Sequence, residues 1–265
     1  MRDALIRLRH DLAAAHAVWR REVIRMARDR GQLVGAVSRP VLWVVIFGLG
    51  LSPYLGAGFT GAPVGYVAYI LPAIVALNIL YPAAQAALGT VWERDAGVLR
   101  ALLAAPAPPW AIFAGKLAGA ATIAVAQGLV VLLLAPVAGV SVTPGGVLAA
   151  LLPMAALALA FGALALALAA RMRSVVGFGV FANTLILPAF FLAGSIFPVA
   201  PAAGAAALPD WLMLLVHINP VTYAVDELRW ALIGYRQLDP VLARGVLAAF
   251  TVIPVAAAAA TAFRR

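Results

Sequence analysis

Ten carboxylates, three histidines and a single lysine are the groups with which this 265-residue chain could do acid–base, metal or nucleophilic chemistry. His10 and His16 are spaced too loosely for one helical face to hold a metal between them, and His217 stands alone. There is no Cys, hence no thiolate nucleophile, disulfide framework or thiolate metal site, and no H-E-x-x-H pattern. A phosphate-binding G-x-x-x-x-G-K-[ST] loop needs a lysine followed by Ser or Thr, whereas Lys116 is followed by Leu117. The chain is therefore expected to be neither an enzyme nor an ATPase, and to bind no cofactor or metal itself.

Other residue types offer polar groups inside apolar runs and an apolar face outside them. Asn78, Gln85, Thr90, Gln127, Asn183, Thr184 and Ser195 are uncharged polar residues set in long apolar runs. Such groups face water or protein more readily than lipid, so each is either a lining of a translocation path or a hydrogen bond between helices. Phe178, Phe181, Phe190, Phe191 and Phe197 enrich one run in aromatics, which suits an amphipathic or lipid-like cargo and equally suits ordinary packing. Between two apolar runs lies "WERDAGVLRALLAAPAPPW", Trp92 to Trp110. Val98, Leu99, Leu102 and Leu103 share one face of a short helix there, with Glu93 and Asp95 near its start and Pro106, Pro108 and Pro109 ending it. That apolar face either packs on the chain's own inner surface or receives a partner.

The elements that position these groups are membrane helices. The chain is 65% hydrophobic and 11% charged, with a mean hydropathy of +1.03, far outside soluble usage. A bilayer crossing takes about 20 apolar residues. Residues 40–92 carry no charge and are broken by a turn at Gly56 to Gly65, giving crossings one and two; residues 110–170, with the turn Gly139 to Gly146, give three and four. Residues 174–197 supply a fifth and 241–263 a sixth, while 93–109 and 198–240 are the inner and outer connections. Sixteen of the nineteen basic residues fall on one side of this arrangement, leaving Arg229, Arg236 and Arg244 on the other. By the positive-inside bias both termini are cytoplasmic, and topology rather than a nucleic-acid partner accounts for the basic balance. The fold class expected is an all-α, multi-pass integral membrane protein comprising one transmembrane domain.

Residues 1–39 read as a basic amphipathic helix of the inner headgroup layer, with Leu5, Leu8, Leu12, Ala15, Trp19, Val23 and Met26 at spacings of three and four. They also serve as a topology anchor. In the outer connection Pro198, Pro201, Pro209 and Pro220 cut the chain into pieces, and "LPDWLMLLVHI" is apolar enough to dip back into the membrane. Asp226 and Arg229, at i and i+3, are expected to form a local ion pair, and Trp211, Tyr223 and Trp230 to act as interfacial anchors.

The run "ERDAGVLRALLAAPAPPWAIFAGK", together with "FFLAGSIFPVA", "LPDWL" and "NPVTYAVDELRWALIG", resembles the membrane subunits of type-2 ATP-binding-cassette exporters, the drug, nodulation-factor and polysaccharide export permeases. Trp19 to Arg30, followed by Arg39 and Pro40, is similar to the approach to that family's first helix, so the resemblance covers nearly the whole chain. It implies a bacterial inner-membrane exporter with two permease subunits, most simply a homodimer, and a separate cytoplasmic ATPase that binds ATP and Mg. Arg94 to Ala105 would be the coupling helix, with Glu93 and Arg94 orienting it as a charged pair, and Asp95, Gly97, Leu99, Leu102, Leu103 and Pro106 belonging to the same coupling segment. Phe197, Pro198, Trp211, Asn219, Pro220, Asp226 and Arg229 would belong to re-entrant helices at the outer gate. A polysaccharide or glycolipid cargo is the alternative within transport. Outside it stand a secondary transporter, disfavoured because all ten carboxylates lie outside the spans, and an oligomerising scaffold of small-residue helices.

Overall fold

A computed structural model describes residues 2–55, 64–104, 106–172, 174–199 and 208–261. Among them the chain is all-helical. Helix α1 covers Arg2–Arg28 and α2 Arg30–Trp43; the latter continues through a π-helical stretch, Val44–Leu51, into the short α3, Ser52–Leu55. Then come α4 (Tyr66–Asp95), α5 (Val98–Ala104), α6 (Pro109–Leu134) with a 3₁₀ turn at Ala135–Ala138, α7 (Pro144–Ala169) and α8 (Val175–Phe191). The connection over residues 198–240 holds α9 (Asp210–Ile218) and α10 (Pro220–Ile233), and α11 spans Pro240–Thr261.

The boundaries follow local chemistry. Pro109, Pro144, Pro220 and Pro240 each open a helix, where a missing backbone donor costs nothing and the fixed φ is already helical. Asp29, Thr143, Ser174 and Asn219 cap α2, α7, α8 and α10 by accepting a backbone N–H from the first turn. Because Asp29 caps it, the helix containing Pro40 begins at Arg30, well before the boundary expected at residue 40. Pro40 then sits inside it, and the π-helical stretch starts one turn later.

Among the described residues five helices are long and apolar enough to cross a membrane: Arg30–Tyr54, Tyr66–Asp95, Pro109–Ala138, Pro144–Ala169 and Pro240–Ala260. The run 174–197 yields instead the 17-residue α8, ended by a turn in which Gly194 adopts a φ of +63°, a conformation that glycine tolerates best. The expected turn at Gly56 to Gly65 lies outside the described residues apart from its last two, as do Pro201, Arg173, Phe263, Arg264 and Arg265.

Helix α4 is the central post. It is apolar on all sides and buried almost throughout, packed by α6, α7, α8 and α10, as an encircled helix must be. Helix α11 lies against α7 and α10 and adds Leu247 to the core without touching α4 as those helices do. A second apolar cluster gathers Ala87, Val91, Leu99, Phe113, Leu117 and Phe178 where the end of α4 meets α5 and α6.

Helix α1 runs beside α6 in the same direction. Ala15 and Val18 face Gly115, Glu22 faces Gly119, and Trp19 donates to Thr122 Oγ1 at 3.1 Å. Gly115 and Gly119 form a G-x-x-x-G pair that allows this approach: a Cβ on Gly115 would stand 2.5 Å from the Ala15 carbonyl oxygen. The expected apolar stripe of α1 is accordingly split. Ala15, Trp19, Val23 and Met26 are partly buried, while Leu5, Leu8 and Leu12 remain exposed.

Candidate functional site

Two polar centres stand toward the two ends of α4. Glu93 and Tyr69 are separated by roughly 36 Å along the helix axis at 1.5 Å per residue.

At the first centre, Ala96 N donates to Trp92 O at 2.9 Å, and Gly97, at a φ of +75°, turns the chain out of α4 and into α5. A left-handed φ at this joint is why glycine stands there. Glu93 and Asp95 therefore close α4 rather than open the following helix, because the helical ladder of α4 continues through them. Only residues 98–104 of the expected coupling helix form α5; Arg94 belongs to α4, Ala105 lies outside the described residues, and exposed Pro106 follows.

Leu99, 6% exposed, is turned inward into the second apolar cluster. Leu102 is half-buried, and the side chain of Leu103 lies outside the described residues. The exposed face of α5 is Val98, Arg100, Ala101 and Ala104, flanked by exposed Trp92 and Trp110. The apolar stripe expected to meet a partner is thus divided: Leu99 anchors the helix and other residues face outward.

Nor do Glu93 and Arg94 pair with each other. Arg94 donates to the carbonyl oxygens of Ala169 (3.4 Å) and Ala170 (3.0 Å), unpaired acceptors at the end of α7. The buried carboxylate of Glu93 instead accepts from Lys116 and Arg21, and from Arg25 at 3.1 Å. Lys116 also reaches Glu22 at 3.3 Å, and Arg25 reaches Glu22 at 2.8 Å. Two carboxylates and three cations thus bind α1, α4 and α6 into one ionic cluster, in which Glu22, Glu93 and Lys116 are buried. Sequence reasoning missed Arg21, Glu22, Arg25 and Lys116 as a group. The available signal was Lys116 itself, the one charge in otherwise apolar α6, which burial obliges to find a counter-ion.

The second centre ties α4 to the outer connection. Arg229 on α10, 1% exposed, donates to Tyr69 O (3.3 Å) and Gly194 O (3.1 Å), and its guanidinium lies 3.9 Å from the Tyr69 ring centroid. Tyr69 OH donates toward the Gly194 and Phe197 carbonyls at 2.8 and 3.0 Å, and it also lies 3.0 Å from Gln237 Oε1. The local Asp226–Arg229 pair does not form, since Asp226 accepts from Gln237 N at 2.8 Å with Arg236 at 3.8 Å. Arg229 thus joins the Gly194 carbonyl of the turn after α8 to the Tyr69 carbonyl on α4.

Asn219 caps α10 and donates to Ala189 O at 2.6 Å, Pro220 is the first residue of α10, and Pro198 is partly buried beside Phe197. Trp211 and Trp230 are exposed as anchors would be. Tyr223 is buried and donates to His217 O at 2.8 Å, so it is a packing residue.

The polar residues of the apolar runs separate into groups. Asn78 is buried and donates to Ile74 O, Ser195 is buried and donates to Phe190 O, and Thr184 donates to Val180 O within its own helix. Thr90 is buried without a hydrogen-bond partner among the described residues. Gln85 and Asn183 share a shallow recess between α4 and α8, whereas Gln85 and Gln127 line another with Arg39. Among the described residues no group of His, Asp and Glu could hold a metal.

Comparison with known proteins assigns the chain to a family. The family model described as "ABC-2 type transporter" matches residues 14–233. The chain is 29% identical over 250 residues, 90% of each chain, to the inner membrane transport permease YadH of Escherichia coli K12. It has the same identity and coverage with the protein of that name in Shigella flexneri.

Proposed function

Because this chain belongs to the ABC-2 type transporter family, and so is a transmembrane subunit of an ABC transporter, we propose that it is half of an ATP-driven exporter of the bacterial inner membrane. A second copy completes the path, and a separate cytoplasmic ATPase, which binds ATP and Mg, drives it. Six crossings place both termini in the cytoplasm, with α8 and the turn after it making the fifth; the name of the similar Escherichia coli protein supports the membrane assigned.

The observation that carries the coupling assignment is the mounting of α5. One side is pinned by Leu99, the other is exposed, and the α4 end that bears it is fastened by Glu93 to α1 and α6. A push on the exposed face cannot be absorbed locally, because close-packed interfaces shift between discrete arrangements. The displacement passes along α4 to Tyr69 and Arg229, and so to the re-entrant pair α9 and α10 at the outer gate.

The path lies along α8, where Val176, Val180, Phe181 and Leu185 are exposed beside Asn183 and Thr184. This lining is apolar with few polar groups, and it suits an amphipathic or lipid-like cargo. Asn78, Thr90 and Ser195 are helix-packing groups rather than cargo contacts, since they are buried in the subunit.

The test is to purify the chain gently from its own membrane, identify what accompanies it and measure ATP hydrolysis. Replacing Arg100 by Glu together with Ala101 by Asp should release the ATPase while the permease keeps its yield and melting temperature. If the complex survives that double change with full ATPase activity, α5 is not the docking helix. Leu99 is the wrong residue to charge for this purpose, because its loss would unseat the helix itself.

A further inference from the structure

Arg39 stands apart among the described cations that are not exposed to solvent. Arg21, Lys116 and Arg236 have carboxylates, and Arg94 and Arg229 have carbonyls. Arg39 lies within the first membrane-spanning segment, and its contact is the face of Tyr81, 4.5 Å from the ring centroid; among the described residues no carboxylate pairs with it. A cation at the end of an apolar span, with no carboxylate beside it, favours an anion as its partner.

The space around it has a definite shape. A recess of about 200 Å³ is lined by Arg39 and three amides, Gln32, Gln85 and Gln127. A second cavity, about 340 Å³ and lined by Val23, Leu33, Val37, Ile123, Ala126 and Val130, shares the walls Met26, Gln32, Ala36 and Gln127 with the first. One end thus offers a cation and amide donors, and the other is mostly hydrocarbon, with Thr122 as its one further polar side chain beyond the shared amides. Both lie at the rim of the bundle, where only 19% of the first span's apolar stretch is buried, compared with 83% of that of α4.

We propose that this bipartite recess holds one anionic phospholipid of the surrounding bilayer. Its phosphate is bound by Arg39 and by amide N–H groups of Gln32, Gln85 and Gln127, and one acyl chain fills the apolar limb between α2 and α6. Charge complementarity decides for an anionic over a zwitterionic headgroup, because a choline ammonium would be brought to the guanidinium along with the phosphate. The inference needs the membrane setting of the family but not the export reading.

The experiment reconstitutes the full chain in vesicles of equal parts phosphatidylglycerol and phosphatidylcholine, extracts it mildly, and counts the lipids retained by native mass spectrometry. Wild type should retain phosphatidylglycerol about tenfold over phosphatidylcholine, the scale of one charge-assisted contact. Arg39→Gln should bring that ratio near one, and Arg39→Lys should keep most of it. Ala126→Phe, which fills the apolar limb and leaves the cation, should also lower retention, and it serves as the test should Arg39→Gln fail to fold. Equal retention of the two lipids, or an unchanged ratio in folded Arg39→Gln, overturns the proposal. So does a shift of Arg39→Gln from dimer to monomer at constant lipid retention, which would make the recess a contact between copies. Loss of the bound lipid on ATP turnover would make it cargo instead.

Discussion

Glu93 is the residue on which the inner end of the molecule converges, because its carboxylate meets charges from two other helices. Removing one member of a buried ionic cluster leaves the rest without compensation, at a typical cost of about 3–5 kcal/mol. Glu93→Gln should therefore lower the melting temperature strongly, and so should Lys116→Met. The double variant should lose much less than the two losses added together, since each removes the other's unpaired charge; a purely additive cycle would show that the two do not interact. At the outer end Arg229 makes a different demand, for a planar fork that serves two carbonyls while lying on the Tyr69 ring. Arg229→Lys keeps the charge and loses that geometry, so it should be about as destabilising as Arg229→Gln in a thermal melt. Rescue by lysine would reduce the role of Arg229 to charge alone.

Among the elements, the contact of α1 with α6 depends on what small residues permit. The two ends of this point are Gly115, where a Cβ meets a backbone oxygen and the Cβ of Val18, and Gly128, where it meets the mobile tip of Met154 at 2.5 Å. Backbone cannot step aside and a methionine methyl can. Gly115→Ala should cost about 1–3 kcal/mol by overpacking and loosen α1, whereas Gly128→Ala, which meets only the side chains of Met154 and Ile79, should cost less and leave α1 in place. Melting curves, with limited proteolysis of α1 as a second readout, separate the two; equal effects would mean that α1 does not lie against α6 in the membrane. A loosened α1 should also weaken stimulated ATP hydrolysis, because Arg21 and Arg25 leave Glu93 with it.

For the whole molecule the open quantity is the number of crossings, and the fifth decides it. The chain has no Cys, so single cysteines can be placed on a silent background. Ser141, Ala96 and Trp211 are all exposed. With six crossings, Ser141→Cys and Trp211→Cys should react with a membrane-impermeant maleimide on intact spheroplasts, and Ala96→Cys only after permeabilisation. Labelling of Trp211→Cys only after permeabilisation would mean that α8 does not cross, and the re-entrant gate would fall with it.

By itself the sequence determined that this is a membrane protein, where most of its apolar helices run, and that the prolines at 106, 108 and 109 end the short helix before them. These are local properties: a charge-free run of sufficient length has no other stable place, and a proline acts on its own turn. The family motif was legible for the same reason, as a contiguous string. What only the tertiary structure decided is which way the residues of that string face. Leu99 looks like a contact residue in a list of apolar positions, and becomes an anchor because Val91, Phe113 and Leu117 happen to surround it. Glu93 reads as a helix-start carboxylate beside Arg94, yet its partners come from 23, 68 and 72 residues away. No local period encodes such pairings, since a buried charge selects whatever counter-ion the packing of distant helices brings within reach.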